Sequence, residues 1–422
     1  MTPERRAQWG WALYDWANSA FATTVLAGFF PIFFRNFWNE GVPDEVVTFR
    51  LGLAHSAAGV FILLMAPLLG TLADRGDAKK AFLFGFALLG AAATALLAVA
   101  PANAWVWATT VFALASIGFS GSMVFTDALL VDVAEPHEYE RVSALGYGLG
   151  YLGGGLLFAL NVAMVLKPAA FGLADKTQAV QWSFVMVGVW WALFTLPLMR
   201  HVRERPVARR AAAGQAIAEA LRELAATLRT VRDRNFRPLW LFLLAYWLYI
   251  DGVDTVIRMA VNFGQALGFP DESLIVALLL VQFVGFPAAI AFGRLGERWG
   301  ARNAVLVAIA VYIGVTIWAY TLRTVAQFYA MAIVIALVQG GVQSQSRALF
   351  AQLIPAGRAG EFFGFYNMLG KFAVILGPLL VGWAALVLAD QRAALMSLLI
   401  LFVPGMLLLA RVPVTARPST PG

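Results

Sequence analysis

Gly70-Thr-Leu-Ala-Asp-Arg-Gly-Asp-Ala-Lys-Lys80 closes one apolar run, and Gly293-Arg-Leu-Gly-Glu-Arg-Trp-Gly-Ala-Arg-Asn303 closes another much later in the chain. The two stretches match in register: Gly70 with Gly293, Leu72 with Leu295, Asp74 with Glu297, Arg75 with Arg298 and Lys79 with Arg302. A repeat at the same point of two similar halves argues for internal duplication. In each copy the glycine permits close helix approach, and the carboxylate can meet the positive amino-terminal end of a neighbouring helix. The arginine and lysine can then pair with acidic residues such as Asp132, Glu135 or Glu138.

The surrounding chain has 422 residues, of which 61% are hydrophobic and only 13% charged, and its mean hydropathy is +0.75. That composition is far from that of soluble globular proteins. Apolar runs of roughly 20 residues cross the hydrocarbon as helices of about 30 Å, whereas barrel strands would alternate in polarity over about 10 residues. The expected fold class is therefore an all-α membrane protein. Spans fall near 11–37, 51–73, 81–100, 105–131, 143–166 and 180–199, and six more begin near Pro238, Ser273, Ala301, Val325, Phe362 and Ala393. This gives twelve transmembrane helices in two six-helix halves, 1–199 and 238–422, around a polar linker, 200–237. The first run contains Asp15 and continues to Phe37, which is too long for a signal-peptide core.

The net charge of +7 has a membrane explanation rather than a nucleic-acid one. Arg and Lys gather in alternate loops, at Arg75, Lys79, Lys80, Arg141, Arg298, Arg302 and Arg358, while Glu40, Asp44, Glu45, Asp271 and Glu272 occupy the loops between. That bias places both termini and the linker in the cytoplasm. Within the linker, Ile217, Leu221, Leu224 and Leu228 recur at helical spacing, consistent with a helix on the inner membrane surface or with a solvated tether. The chain has no cysteine, which excludes disulfides and thiolate metal sites.

The repeated loop resembles the signature of the major facilitator superfamily, and the six-plus-six layout extends the resemblance over the whole chain. The first copy departs from the usual pattern, with Gly76 one place early and Asp77 at the usual glycine position. Leu13-Tyr-Asp-Trp-Ala-Asn-Ser-Ala-Phe21, Tyr249-Ile-Asp-Gly-Val-Asp-Thr255 and Phe362-Phe-Gly-Phe-Tyr-Asn-Met-Leu-Gly-Lys-Phe372 look like the branch of autophagy-associated vacuolar amino-acid effluxers. The resemblance implies a secondary transporter working by alternating access, with its cargo held near the midplane between the halves. It also implies a small-molecule substrate, a lipid bilayer as surroundings and no cofactor. A monomer in a bacterial inner membrane is expected.

Polar residues deep in the spans are the candidate substrate or ion ligands. Asp251, Asp254 and Arg258 fall on one stripe of the seventh span, three and four residues apart. Tyr366, Asn367 and Lys371 come from the eleventh, Gln339 and Gln343 from the tenth, Asp15 and Asn18 from the first, and Tyr147 and Tyr151 from the fifth. Lys371 lies too deep to snorkel easily and calls for an acidic partner, for which Asp251 and Asp254 are available. A cavity holding both signs suits an amino acid. The same charges can instead form an internal ion-pair network, and the buried carboxylates also admit proton coupling. Gly70, Asp74, Arg75, Asp127, Asp132, Arg141, Gly293, Glu297 and Arg298 form the expected gate. Gly146, Gly148, Gly150, Gly153, Gly154 and Gly155 serve helix packing or a hinge.

Nothing in the sequence has the spacing of a nucleotide-binding loop, a metal site or a nucleophile with its base; His55, His137 and His201 lie in unrelated segments. Sugar or lysophospholipid transport remains an alternative, as does a non-transporting receptor or scaffold.

Overall fold

The computed structural model describes residues 2–42, 65–74, 78–205, 233–388 and 390–413, with a few positions between these blocks. The described residues form helices in chain order: α1 (Pro3–Asn36), α2 (65–74), α3 (Lys79–Val99), α4 (Trp105–Val133), α5 (Tyr139–Leu166), α6 (Lys176–His201), α7 (Arg237–Ala266), α8 (Asp271–Trp299), α9 (Ala301–Ala319), α10 (Val325–Leu353), α11 (Ala359–Leu388) and α12 (Arg392–Ala410). Ten of the described helices are long and apolar enough to cross a membrane. Ile217, Leu221, Leu224 and Leu228, which carry the expected linker helix, lie outside the described residues.

Local chemistry sets the helix ends. The Thr324 and Gln327 side chains and backbones cap α10 reciprocally, which satisfies orphan amide donors of its first turn. Asp175 caps α6. Gly300, at φ +82, turns the chain between α8 and α9, a conformation that residues with a Cβ rarely adopt. Over Phe21–Phe29 α1 widens into a π-helical stretch, a feature that often occurs at functional sites.

The pairings within each half are the same. In the first, α1 packs on α5 and α6, and α3 packs on α4 and α6; in the second, α7 packs on α11 and α12, and α9 packs on α10 and α12. Adding six to each label of the first set yields the second, the geometrical counterpart of the sequence repeat. The halves meet through α5 against α8 and α10, and through α4 against α11.

Lipid is as apolar as the helix surfaces, so packing and polar ties, rather than burial from water, hold such helices together. The α5 glycines act this way: a Cβ at Gly153 would sit 2.6 Å from the Trp16 ring, and one at Gly154 2.8 Å from Thr23 Oγ1. These glycines make room for α1, so close packing is their visible role. Val189, Leu193 and Leu196 on α6, and Leu379, Trp383 and Val387 on α11, form exposed apolar stripes suited to lipid contact.

Candidate functional site between the halves

A cavity of about 360 Å³ lies between the halves and is lined from α1, α4, α5, α7, α8 and α10. Its lining on α1 runs from Asp15 to Ala27, on α5 from Tyr147 to Phe158, and on α10 from Gln343 back to Phe328. Each helix thus leads from a floor at mid-depth towards the end of the bundle opposite the chain termini. Asp15, Asn18, Ser19, Tyr147, Tyr151, Gln339 and Gln343 supply polar groups, while Phe119, Met123, Phe158, Ile257, Phe328 and Ile335 supply apolar walls. Tyr151 reaches across from α5 to donate to Gln343 Oε1 at 3.4 Å. It is accommodated because Gly285 and Gly340 leave it space: a Cβ on either would lie within 3.0 Å of its ring.

Arg347 of α10 sits beneath this floor and is fully buried. Its Nη2 is 3.1 Å from Asp15 Oδ2 and its Nη1 3.0 Å from Asp127 Oδ1. Nε donates to Ser143 Oγ at 2.9 Å, and Nη2 also donates to the Ser143 carbonyl at 3.0 Å. The guanidinium lies 4.7 Å from the Trp11 ring centroid and 4.4 Å from that of Tyr147. Asn367 Nδ2 donates to the other Asp127 oxygen at 2.9 Å. A planar fork of five donors can serve two carboxylates, a hydroxyl and a carbonyl at once, which a lysine could not do. Gly146 is a condition of the arrangement, because a Cβ there would collide with Asp15 Oδ2.

Nearer the termini the halves are sealed by a second set of ties. Asp74 accepts from the backbone N–H groups of Gly360 and Glu361, both at 2.9 Å, at the amino-terminal end of α11, where the helix dipole favours an anion. A Cβ on Gly70 would collide with the Gly360 carbonyl. Burial raises the Asp74 carboxyl to about 6, against the opposing pull of Lys79 and the two N–H groups. Lys79 Nζ is 2.7 Å from Asp132 and 3.9 Å from Asp74. Asp132 also accepts from the Arg205 backbone N–H at 3.0 Å. Arg141 meets Glu138 at 2.6 Å and Glu297 of the other half at 3.5 Å. Gly293 lets α8 approach α5, since a Cβ there would be 2.6 Å from that of Ala144. Gln345 and Gln352 donate to the Glu140 carbonyl and Oε1, at 3.2 and 3.0 Å.

Several positions differ from the sequence expectations. Asp127 is placed not beside Arg141 in a peripheral gate but in the buried Arg347 cluster, because α4 carries it inward under the floor. The charged stripe of α7 does not line the cavity. Val256, Ile257 and Ala260 do, which rotates Asp251 towards α11, where it accepts from the Gly377 N–H at 2.9 Å and from Thr255 Oγ1 at 3.4 Å. Arg258 is exposed. Asp254 is half-buried and within electrostatic reach of Tyr147 and Tyr151. Tyr366 stacks on Tyr246 with centroids 4.2 Å apart, so it shapes the core of the second half rather than the cavity wall. Arg298 is exposed. The side chain of Lys371 and all of Arg75 lie outside the described residues. Arg347 was missed by sequence reasoning, although Gln339, Gln343 and Arg347 recur every four residues on one stripe of α10.

The duplicated bundle around a central cavity defines a major facilitator superfamily transporter, an integral membrane protein. Its solved structural neighbours share that fold: the human organic anion transporter MFSD10 superposes with a TM-score of 0.76 at 18% identity, covering 97% of this chain and all of the other. The transporter FucP in the outward conformation superposes with a TM-score of 0.71 at 13% identity, covering 98% and 99%. Residues 52–417 match the family described as "Vacuole effluxer Atg22 like", and the chain belongs to that family. It is 40% identical over 405 residues to the uncharacterized MFS-type transporter YxiO of Bacillus subtilis, covering 96% of this chain and 94% of that protein. It is 26% identical over 267 residues to autophagy-related protein 22-2 of Aspergillus clavatus, 57% of this chain but only 43% of the fungal protein.

Proposed function

We propose that this transporter moves a small amphipathic zwitterion, an amino acid with an apolar side chain, by alternating access across a bacterial cytoplasmic membrane. The observation that carries this reading is the division of the cavity: a floor with one lining carboxylate among the described residues, Asp15, set among amide and hydroxyl groups, and walls of phenylalanine, methionine and isoleucine. Charged ends of a solute would meet Asp15, Asn18 and Tyr151 on one half and Gln339 and Gln343 on the other, while its side chain lay against the walls. The arginine-bearing loops support a cytoplasmic placement of the termini. The described state, closed at the terminus-bearing end, is then outward-facing.

Purified protein in liposomes loaded with leucine tests this by counterflow of labelled leucine, phenylalanine and xylose. Exchange of the two amino acids without xylose is expected. Exchange of xylose instead, or abolition of leucine exchange by micromolar lysophospholipid acting as a competing cargo, would replace the amino-acid reading with the sugar or lipid one.

A further inference from the structure

We propose that Asp15 is the counter-ion for an organic ammonium group of the solute, which takes this carboxylate over from Arg347. The proposal rests on the transport reading above and specifies the charge that the cargo must carry. Two carboxylates share one guanidinium in the cluster. Asp127 uses both oxygens, Oδ1 on Arg347 at 3.0 Å and Oδ2 on Asn367 at 2.9 Å. Asp15 meets Arg347 through Oδ2 at 3.1 Å, and it is the member of the trio that lines the cavity. With both carboxylates ionised the trio carries one surplus negative charge, presented to the cavity at Asp15.

A recess with apolar walls strengthens the field of such a charge, attracting cations and repelling anions. The apolar walls begin beside it, at Phe119 and Met123, and suit the carbon skeleton of an amine better than the hydration shell of an inorganic ion. When an ammonium pairs with Asp15, Arg347 keeps Asp127 as a balanced partner. The tie from α10 to α1 loosens while the tie to α4 holds. Substrate charge is thereby linked to contacts that close the terminus-bearing end.

The full chain in detergent is titrated with leucine, 3-methylbutylamine, which lacks the carboxylate, and 4-methylpentanoate, which lacks the ammonium. The amine is expected to bind at least tenfold more tightly than the acid, by intrinsic tryptophan fluorescence. Asp15→Asn removes the surplus charge and leaves Arg347 and Asp127 balanced, so the variant should fold while losing tenfold or more in amine affinity. Asp15→Glu should retain the preference for amine over acid. The chain has no cysteine of its own, so Ser344→Cys, fully buried between the halves, reports opening: the amine should raise its maleimide labelling at least threefold, and not in the Asp15→Asn background. Tighter binding of the acid than the amine, stabilisation by sodium chloride in place of the amine, or unchanged amine affinity in folded Asp15→Asn would each overturn the proposal. The wild-type comparison of amine and acid decides even where a variant does not fold. Leucine exchange with no amine binding would sink this inference and leave the transport reading standing; Asp15-dependent amine binding without amino-acid exchange would do the reverse.

Discussion

Replacing Arg347 with methionine, of similar length and no charge, tests whether the buried cluster is a structural keystone. The substitution removes the ion partner of both Asp15 and Asp127, two bonds to Ser143 and the stacking on Trp11 and Tyr147. Removing one side of a buried charge pair costs about 3–5 kcal/mol, because the other side is left charged in a poor solvent. With an unfolding entropy of roughly 2.1 cal/mol/K per residue, a chain of this length loses about 4–5 °C in melting midpoint for about 4 kcal/mol. Differential scanning fluorimetry in detergent without ligand measures it. The triple variant Arg347→Met, Asp15→Asn, Asp127→Asn no longer buries an unpaired charge and should recover most of the loss. A single variant that melts within roughly 1 °C of wild type, or a triple variant no better than the single, would refute the reasoning.

The gate gives a pH prediction. A carboxyl raised by burial to about 6 in the closed gate, against a usual value near 3.9 when hydrated, binds more protons closed than open. The closed gate is favoured below that window and loses roughly 3 kcal/mol as pH rises through it. Labelling of Ser344→Cys, divided at each pH by that of the denatured variant so that thiolate formation cancels, should therefore rise from pH 4.5 to 7.5, and Asp74→Asn should flatten that ratio. Gly70→Ala should also raise labelling at pH 5, since its methyl group would push against the Gly360 carbonyl; labelling equal to wild type would count against the helix-to-helix seal. Asp254→Asn tests proton coupling: if that carboxylate carries the proton, leucine uptake driven by a pH gradient should collapse while counterflow persists, and unchanged gradient-driven uptake excludes it from that role.

The fold was legible because membrane spans announce themselves by length and hydropathy, and the repeated loop gave the division into halves. The site was less legible, for reasons tied to particular residues. Periodicity places Asp251, Asp254 and Arg258 on one stripe of α7 but does not set the rotation of the helix, and the cavity takes Val256, Ile257 and Ala260 instead. Counting residues from the chain ends puts Asp127 and Arg347 near the terminus-bearing surface. It cannot show that the two halves close over them, which turns a shallow position in a span into a fully buried one. Arg347 would have emerged by following the stripe of Gln339 and Gln343 one step further.

The two copies of the repeated loop explain why the seal forms at that end and on those helices. Adding six to a helix label relates the halves, so α2 corresponds to α8 and α11 to α5. The first copy presses Gly70 and Asp74 of α2 against Gly360 and Glu361, in the first turn of α11. The second presses Gly293 of α8 against Ala144 and sets Glu297 against Arg141, in the first turns of α5. Each half thus uses the same small-residue-plus-carboxylate device on the corresponding helix of its partner, with backbone N–H donors in one case and a guanidinium in the other. The buried Asp74 contacts contribute about 1.5–3 kcal/mol each and the half-exposed Arg141–Glu297 pair about 1 kcal/mol or less; in the proposed alternating access they break together with the Arg347 cluster above them. A solute that weakens one member of the floor therefore acts on a seal whose described members can be removed one at a time.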